Sequence, residues 1–367
     1  MGERGRGSGG RTCKKIMPTP PNFENFSCPL PLQPGERVVL GHGSGGKLSH
    51  DLLTRVILPA LGEAAPRAFD DSAIVETGGE QSAFTTDSYV VRPLFFPGGD
   101  IGRLAVCGTV NDLAMIGAEP IALSCGFVLE EGLPLATLDR VARSMREAAL
   151  ESGVYLAAGD TKVVEKGKAD GLFINTSGIG HLRPGKSVSG AGAKPGDVII
   201  LSGAIGDHGI AVLSAREGLG FETDLQSDAA PLNGLVAAML SAGEVHAMRD
   251  PTRGGLATTL CEIAAQSGVC VEMDERSIPI HAPVRAACEM LGFDPLYVAN
   301  EGKLVAFVAA EDAGKILAAM RTHKYGVEAA VIGRATDTPR GQVRLRTIIG
   351  GTRIVDMLPG EMLPRIC

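Results

Sequence analysis

Gly41-His42-Gly43-Ser44-Gly45-Gly46-Lys47 places four glycines within seven residues, between the apolar run Arg37-Val38-Val39-Leu40 and a helical pattern over residues 48–61. A glycine-rich backbone that opens a helix gathers N–H groups beside the positive end of the helix dipole, which suits an anion such as phosphate. Gly41, Gly43 and Gly46 satisfy G-x-G-x-x-G, and the run through Lys47 nearly satisfies the Walker loop. Both matches are loose. Leu48 brings no hydroxyl for Mg²⁺, and no parallel βαβ unit with a ribose-binding acid follows. From this run alone, a short strand into an anion loop and a ligand-free glycine turn both remain open.

Four acidic signatures follow, each at the end of an apolar or strand-like run: Phe69-Asp70-Asp71-Ser72-Ala73, Thr85-Thr86-Asp87-Ser88, Val110-Asn111-Asp112-Leu113 and Ala158-Gly159-Asp160-Thr161-Lys162. A single carboxylate at a strand end serves equally as a turn former or helix cap. Four of them behind a glycine-rich loop fit a hard cation on a triphosphate, which needs carboxylate oxygens converging from several segments.

Periodicity predicts helices over residues 101–118 and 138–152, with strands near 73–75, 82–85, 122–128, 154–157 and 172–179. The order implies helices on one side of a largely antiparallel sheet. A turn at Arg183-Pro184-Gly185-Lys186 marks a domain boundary, after which Val198-Ile199-Ile200-Leu201 reads as a buried strand entering a small-residue turn and a helix. His208 beside Asp207 reads as a helix-cap or turn residue, or as an acid–base pair. In Met248-Arg249-Asp250-Pro251-Thr252-Arg253-Gly254-Gly255-Leu256, Pro251 and Thr252 suit a helix start and the glycines let backbone approach a ligand. Glu301, in Asn300-Glu301-Gly302-Lys303, reads as a turn residue or a general base.

The chain has 367 residues, 44% hydrophobic, with 49 glycines and no tryptophan, which predicts two compact α/β domains. A net charge of −7 argues against a nucleic-acid surface, and no apolar run is long enough to span a membrane. The eight cysteines form no C-x-x-C pair and read as reduced thiols of a cytoplasmic protein. Residues 1–35 read as a disordered extension. The chain closes on Pro364-Arg365-Ile366-Cys367, behind a Gly/Pro-rich segment. Ten extended residues reach roughly 33 Å, so a mobile tail over residues 346–367 could carry the Cys367 sulfur as an arm.

Taken in order, the glycine run, Thr86-Asp87-Ser88, Asn111-Asp112-Leu113, Gly159-Asp160-Thr161-Lys162, Arg249 through Gly255, Asn300-Glu301-Gly302 and the terminal Pro364-Arg365-Ile366-Cys367 resemble one superfamily. It is the ATP-binding superfamily of aminoimidazole ribonucleotide synthetase, selenophosphate synthetase and thiamine-monophosphate kinase. Within it, they resemble the HypE family of hydrogenase-maturation carbamoyl dehydratases. The resemblance implies a two-domain α/β (α+β) fold like that of the synthetase. Its N-terminal domain (residues 36–184) would bind ATP and form a homodimer through a mixed, mainly antiparallel sheet. Residues 185–345 would form the C-terminal α/β domain. The resemblance also implies that Gly43, Ser44, Gly45, Gly46, Lys47, Asp70, Asp71, Asp87, Asn111, Asp112, Gly159, Asp160 and Thr161 hold ATP. Asp71, Asp87, Asp112 and Asp250 would hold Mg²⁺. A carbamoyltransferase partner (HypF) would load Cys367 with a carbamoyl group, which this chain would dehydrate to a cyano group using ATP, with Glu301 as base and Lys162 polarising the group or relaying a proton. Arg365 would help position the arm, and a HypC–HypD complex would receive the cyano group. The alternatives are a small-molecule kinase or synthetase of the superfamily, and an ATP-gated assembly adaptor. The glycine run holds no cysteine, against selenophosphate synthesis.

Overall fold

The computed structural model describes residues 1–2, 38–43, 45–64, 70–77, 80–182, 188–216, 224–358, 360, 363 and 365–367. Contacts divide the chain into Met1–Val39 and Leu40–Cys367, and every element below belongs to the second unit. The expected extension over residues 1–35 lies outside the described residues, apart from Met1 and Gly2.

The glycine run opens as a 3-10 turn, Leu40–Gly43, so Leu40 does not end a strand as expected. Gly45, at φ 76°, turns the chain into α1 (Lys47–Leu52). The helix expected over residues 48–61 is broken into α1, one π-helical turn (Leu53–Ile57) and α2 (Leu58–Leu61).

The next strands are β1 (Ala73–Thr77), β2 (Glu80–Tyr89) and the short pair β3 (Phe95–Phe96) and β4 (Gly99–Asp100). Then follow α3 (Ile101–Met115), β5 (Ala118–Glu130), α4 (Leu135–Ser152), β6 (Tyr155–Val164) and β7 (Leu172–Leu182). Asp100 caps α3 by accepting from the Gly102 and Arg103 N–H groups at 2.7 and 3.1 Å. The helix stops three residues before the expected end, because Gly117 takes φ 78°. Five strands form one sheet in the order β1-β2-β7-β5-β6, antiparallel except for the β5–β6 pair. Strand alternation turns Ala83, Thr85 and Tyr89 toward α3, which is buried along nearly its whole length, and α4 packs behind it through Val141 and Met145. The opposite face of the sheet is open. Phe84 (42% exposed) and Ile179 (46%) face each other there across β2 and β7.

The second sheet is built from β8 (Val198–Leu201), β9 (Val245–Arg249), β10 (Cys270–Asp274), β11 (Val305–Val308), β12 (Ala330–Thr336), β13 (Val343–Arg346) and β14 (Thr352–Val355). Its order is β14-β13-β10-β12-β8-β11-β9. Helices α5 (Asp207–Ser214), α6 (Asn233–Ala242), α7 (Gly255–Ser267), α8 (Ala282–Leu291) and α9 (Ala313–Thr322) surround it. Ile199, Leu201 and Phe307 pack with α7 on one face, while Ile200, Ala306 and Val308 pack with α6 and α9 on the other. Pro251 and Thr252 precede α7 without starting it. Gly254 and Gly255, at φ 80° and 61°, make that turn. Residues 352–355, expected in the mobile tail, are an edge strand paired with β13. Among the described residues, no helix is long and apolar enough to cross a membrane.

Helix α3 lies so close to its sheet that a Cβ on Gly178 of β7 would come within 2.9 Å of the side chains of Leu113, Leu123 and Thr109. Gly178→Ala is expected to destabilise the protein by about 1–3 kcal/mol through overpacking, read as a lower thermal midpoint. An unchanged midpoint would refute this packing.

Candidate active site

Two side-chain amides draw distant segments together. Asn111, fully buried on α3, donates to the carbonyls of Ala230 (3.0 Å) and Glu301 (3.3 Å) and accepts from the Leu232 N–H (2.8 Å). Asn300 donates to the Pro251 carbonyl (2.8 Å) and accepts from the Gly206 N–H (2.7 Å). Glu301 donates its N–H to Asp228 Oδ1 at 2.9 Å. Gly302 follows because a Cβ there would strike the Asp228 carbonyl. These bonds set Glu301 beside the Asp250 turn and beside the helix-facing side of β2.

Five carboxylates meet there, on Asp71, Asp87, Asp112, Asp250 and Glu301. The Thr85 hydroxyl sits between two of their residues, 2.9 Å from Asp112 Oδ2 and 3.0 Å from the Asp71 carbonyl oxygen. Burial is the main cause of the raised pKa values, and repulsion adds to it. Asp71 is pushed up to about 6, with Arg249 opposing and Glu262 and Asp70 adding. Asp112 is raised well above the usual carboxylate range by burial, then by Asp250, Asp87 and Asp71. Asp250 is raised by burial, then by Asp71 and Asp87. Glu301 is raised by burial, then by Asp250, Asp87 and Asp228, with Arg253 opposing.

The chain end docks into this group. Cys367 accepts from the Val90 N–H through a main-chain oxygen (3.1 Å), and Ile366 is buried in the same core cluster as Tyr89, Val91 and Val212. Arg365 pairs with Asp170 and donates through Nε to the Val90 carbonyl (3.1 Å). It holds φ 53°, the one non-glycine left-handed residue among those described. The last three residues line a cavity of about 160 Å³ with Gly43, Arg253 and Leu358. Burial pushes the Cys367 thiol up to about 12, with Arg253 opposing and a hydrogen bond to the Glu301 carboxylate adding. Arg253 also donates to the Gly43 carbonyl at 2.8 Å. One guanidinium thereby joins the glycine run to the terminal sulfur.

Family models cover most of the chain. Residues 69–182 match the AIR synthase related protein N-terminal domain, and residues 194–346 match the corresponding C-terminal domain. The chain is 55% identical over 331 residues to the carbamoyl dehydratase HypE of Azotobacter vinelandii, spanning 90% of this chain and 97% of that one. It belongs to the HypE family. A crystal structure of a HypE–HypF complex superposes with a TM-score of 0.79 at 50% identity, covering 84% of this chain and 99% of that one. A HypE structure in complex with ATP gives 0.76 at 48%, covering 90% and 100%.

Of the residues nominated by the HypE resemblance, Asp71, Asp87, Asp112, Asp250, Glu301 and Cys367 come together. Among the described residues, no three potential ligands already stand at metal-binding spacing. Asp71 Oδ2 is nevertheless buried without a hydrogen-bond partner, while its Oδ1 lies 3.3 Å from Arg249 Nε. An unsatisfied oxygen among mutually repelling acids fits a divalent cation. Asp70 has other work, since its oxygens accept from Ser189 Oγ and the Gly190 N–H at 2.8 Å each. The Asn111 amide is likewise spent on backbone, so neither Asp70 nor Asn111 offers a free side chain to a nucleotide in this structure. In the glycine run, the Gly45 N–H bonds Ser49 Oγ (2.9 Å) and the Lys47 N–H bonds the Leu358 carbonyl (3.0 Å). Gly43 is exposed, Gly46 is packed beneath Leu358, and Ser44 lies outside the described residues.

Gly159, Asp160, Thr161 and Lys162 stand apart. They lie within edge strand β6 rather than at a strand end, and they are exposed. Lys162 pairs with Asp160 at 2.6 Å. Register places Lys162 in a row with Val128, Phe173 and, three residues on from the Asp87↔Thr176 pair, Val90 just past the end of β2. That is three strand spacings, about 14 Å. Parity turns Asp160 and Lys162 to the open face of the sheet, away from α3. Within one chain, Lys162 does not come beside Glu301. The sequence reading also passed over Arg249 and Arg253 as site residues although both lie in the quoted motif. Asp170 and Asp228 carried no signal.

Raised carboxylate pKa values mean that the folded state holds more protons than the unfolded chain. In chelator, the stability these groups contribute is greatest at low pH and declines as pH rises from about 3.8 through about 6 for Asp71. Asp112→Asn is expected to melt above the parent at pH 7.5 in chelator, with the advantage shrinking at pH 5. Magnesium should stabilise the parent more than the variant. Equal melting and equal magnesium response would sink the cluster reading.

Proposed function

We propose that this HypE-family chain dehydrates a carbamoyl group carried on Cys367 Sγ in an ATP-dependent reaction. The product is an S-cyano group for the iron centre of a nickel–iron hydrogenase. The observation that carries this reading is the docked tail, which sets the terminal sulfur beside Glu301 in a cavity roofed by the glycine run. A tail with no covalent cargo has no need of such an address.

The carbamoyl oxygen is a poor leaving group until it is phosphorylated. Transfer of the γ-phosphoryl of ATP makes the C–O bond breakable, and ADP departs. Expulsion of phosphate and loss of both N–H protons then leave S–C≡N, with one water removed overall and its oxygen carried in phosphate. Glu301, made basic by burial and by its acidic neighbours, is suited to take a proton from nitrogen once the surrounding charge is offset. Asp71, Asp87, Asp112 and Asp250 would hold Mg²⁺, which supplies charge stabilisation to the transferring phosphoryl. Arg253 faces the same sulfur and would steady charge on the carbamoyl oxygen.

Lys162 reaches the reaction in this reading only from a second copy, with the open faces of two first sheets packed together. The exposed Phe84 and Ile179 support such a homodimer. The HypE–HypF complex supports a HypF-type carbamoyltransferase as the loading partner, and an iron-carrying HypC–HypD complex would take the cyano group. A terminal thiol that must stay free suits the reducing cytoplasm.

Intact mass after incubation with the carbamoyltransferase, carbamoyl phosphate and ATP should show one carbamoyl adduct. After transfer to fresh ATP, the adduct should lose one water. Cys367→Ala should show neither change, and Glu301→Gln should load but dehydrate about 10²- to 10⁴-fold more slowly. A carbamoyl adduct that ATP never alters would favour the assembly adaptor, and no adduct would favour a small-molecule kinase. Mixing Lys162→Ala with Glu301→Gln tests the shared site. Random pairing should restore about a quarter of parental activity in a two-fold dimer, whereas sites complete within one chain would give none.

A further inference from the structure

His208, on α5, has no part in the chemistry above, yet it is fully buried and both ring nitrogens are engaged. Nε2 lies 2.9 Å from the Ile366 carbonyl oxygen. A carbonyl can only accept, so Nε2 carries the proton. Nδ1, 2.8 Å from Ser227 Oγ, then accepts from that hydroxyl, whose oxygen accepts from the Ala229 N–H at 3.1 Å. The Ser227 N–H is pinned to the Pro97 carbonyl at 2.8 Å, and the Phe96 ring stands edge-on to the imidazole at 5.5 Å. Only one tautomer and one ring orientation satisfy all these bonds.

The neighbouring tail main-chain oxygens are gripped in the same way. Arg365 O accepts from the Arg92 N–H (3.3 Å) and Arg216 (2.9 Å), and Cys367 O accepts from the Val90 N–H (3.1 Å). All three terminal residues are thus held by backbone oxygen, which is unchanged whether the sulfur is free, carbamoylated or cyanated. We propose that His208 is a positioning residue that holds the docked tail by the Ile366 carbonyl, with Ser227 fixing its tautomer. It thereby sets Cys367 Sγ beside Glu301 in every loading state. This rests on the reading of the tail as the reaction arm.

The test compares the parent with His208→Leu, His208→Gln and Ser227→Ala. Iodoacetamide alkylation of Cys367, followed on the C-terminal peptide by mass, reports the undocked fraction, because the docked thiol is scarcely ionised. Leaving the Ile366 carbonyl unpaired should raise the rate about 5- to 100-fold in His208→Leu. His208→Gln keeps a donor and should fall back toward the parent, while Ser227→Ala should show a smaller rise. In single turnover, His208→Leu should accept carbamoyl normally and convert it more slowly. Alkylation at the parental rate in a folded His208→Leu protein would overturn the proposal. If that variant does not fold, a parental rate in Ser227→Ala would overturn it instead. Failure of the reaction reading looks different, because the parent's own carbamoyl adduct would never lose water while the alkylation comparison still stands.

Discussion

Buried like charges must be forced together by bonds made elsewhere. Asp71, Asp112, Asp250 and Glu301 each raise the cost of ionising a neighbour, so none would gather at this place by its own attraction. The force comes from two neutral amides, Asn111 and Asn300, which bond to backbone and sew α3, the Asp250 turn and the Glu301 turn into one frame. Arg249 offsets part of the charge, lying against both Asp71 and Glu262. Stability is spent to keep an unfavourable constellation together, as functional sites commonly require.

The same frame creates the berth for the chain end. The glycine run folds back onto Leu358 and Arg253, so the approach to the cavity and the tail that fills it are parts of one packed surface. The first sheet divides the labour by parity. Asp87 looks toward α3 and the acids, while Asp160 and Lys162 look out from the other face. A single strand register therefore decides which residues one chain can bring to its own chemistry.

Much of this was legible in the sequence wherever chemistry and local pattern coincide. Val198–Leu201 is the strand its apolar run predicts, α3 and α4 follow their periodicity, and the antiparallel sheet with helices on one side is present. Asp71, Asp87 and Asp112 stood in the acidic signatures behind the glycine run, whereas Asp250 and Glu301 were nominated by the resemblance. Their placement was not legible. Asp87 and Asp160 lie within strands and Asp112 lies within a helix, since side-chain hydrogen bonding and tertiary packing outweigh the turn preference of aspartate. Residue type could not show that Asn111 and Asp70 serve the frame, nor that Lys162 faces away from Glu301. These depend on partners more than 100 residues distant and on strand parity. The tail's docking was hidden for a similar reason, because a Gly/Pro-rich composition reads as mobile while its main-chain oxygens find donors in the segment just after β2, on α5 and on Arg216.

The perturbed acidity of the docked Cys367 thiol has a protective side. A sulfur pushed up to about 12 is almost wholly protonated at neutral pH, and a thiol reacts with peroxide, disulfides and alkylating metabolites only as its thiolate. While the chain end is docked, the Cys367 sulfur is sheltered from oxidative loss. In the proposed reaction it would become a nucleophile only on leaving that berth.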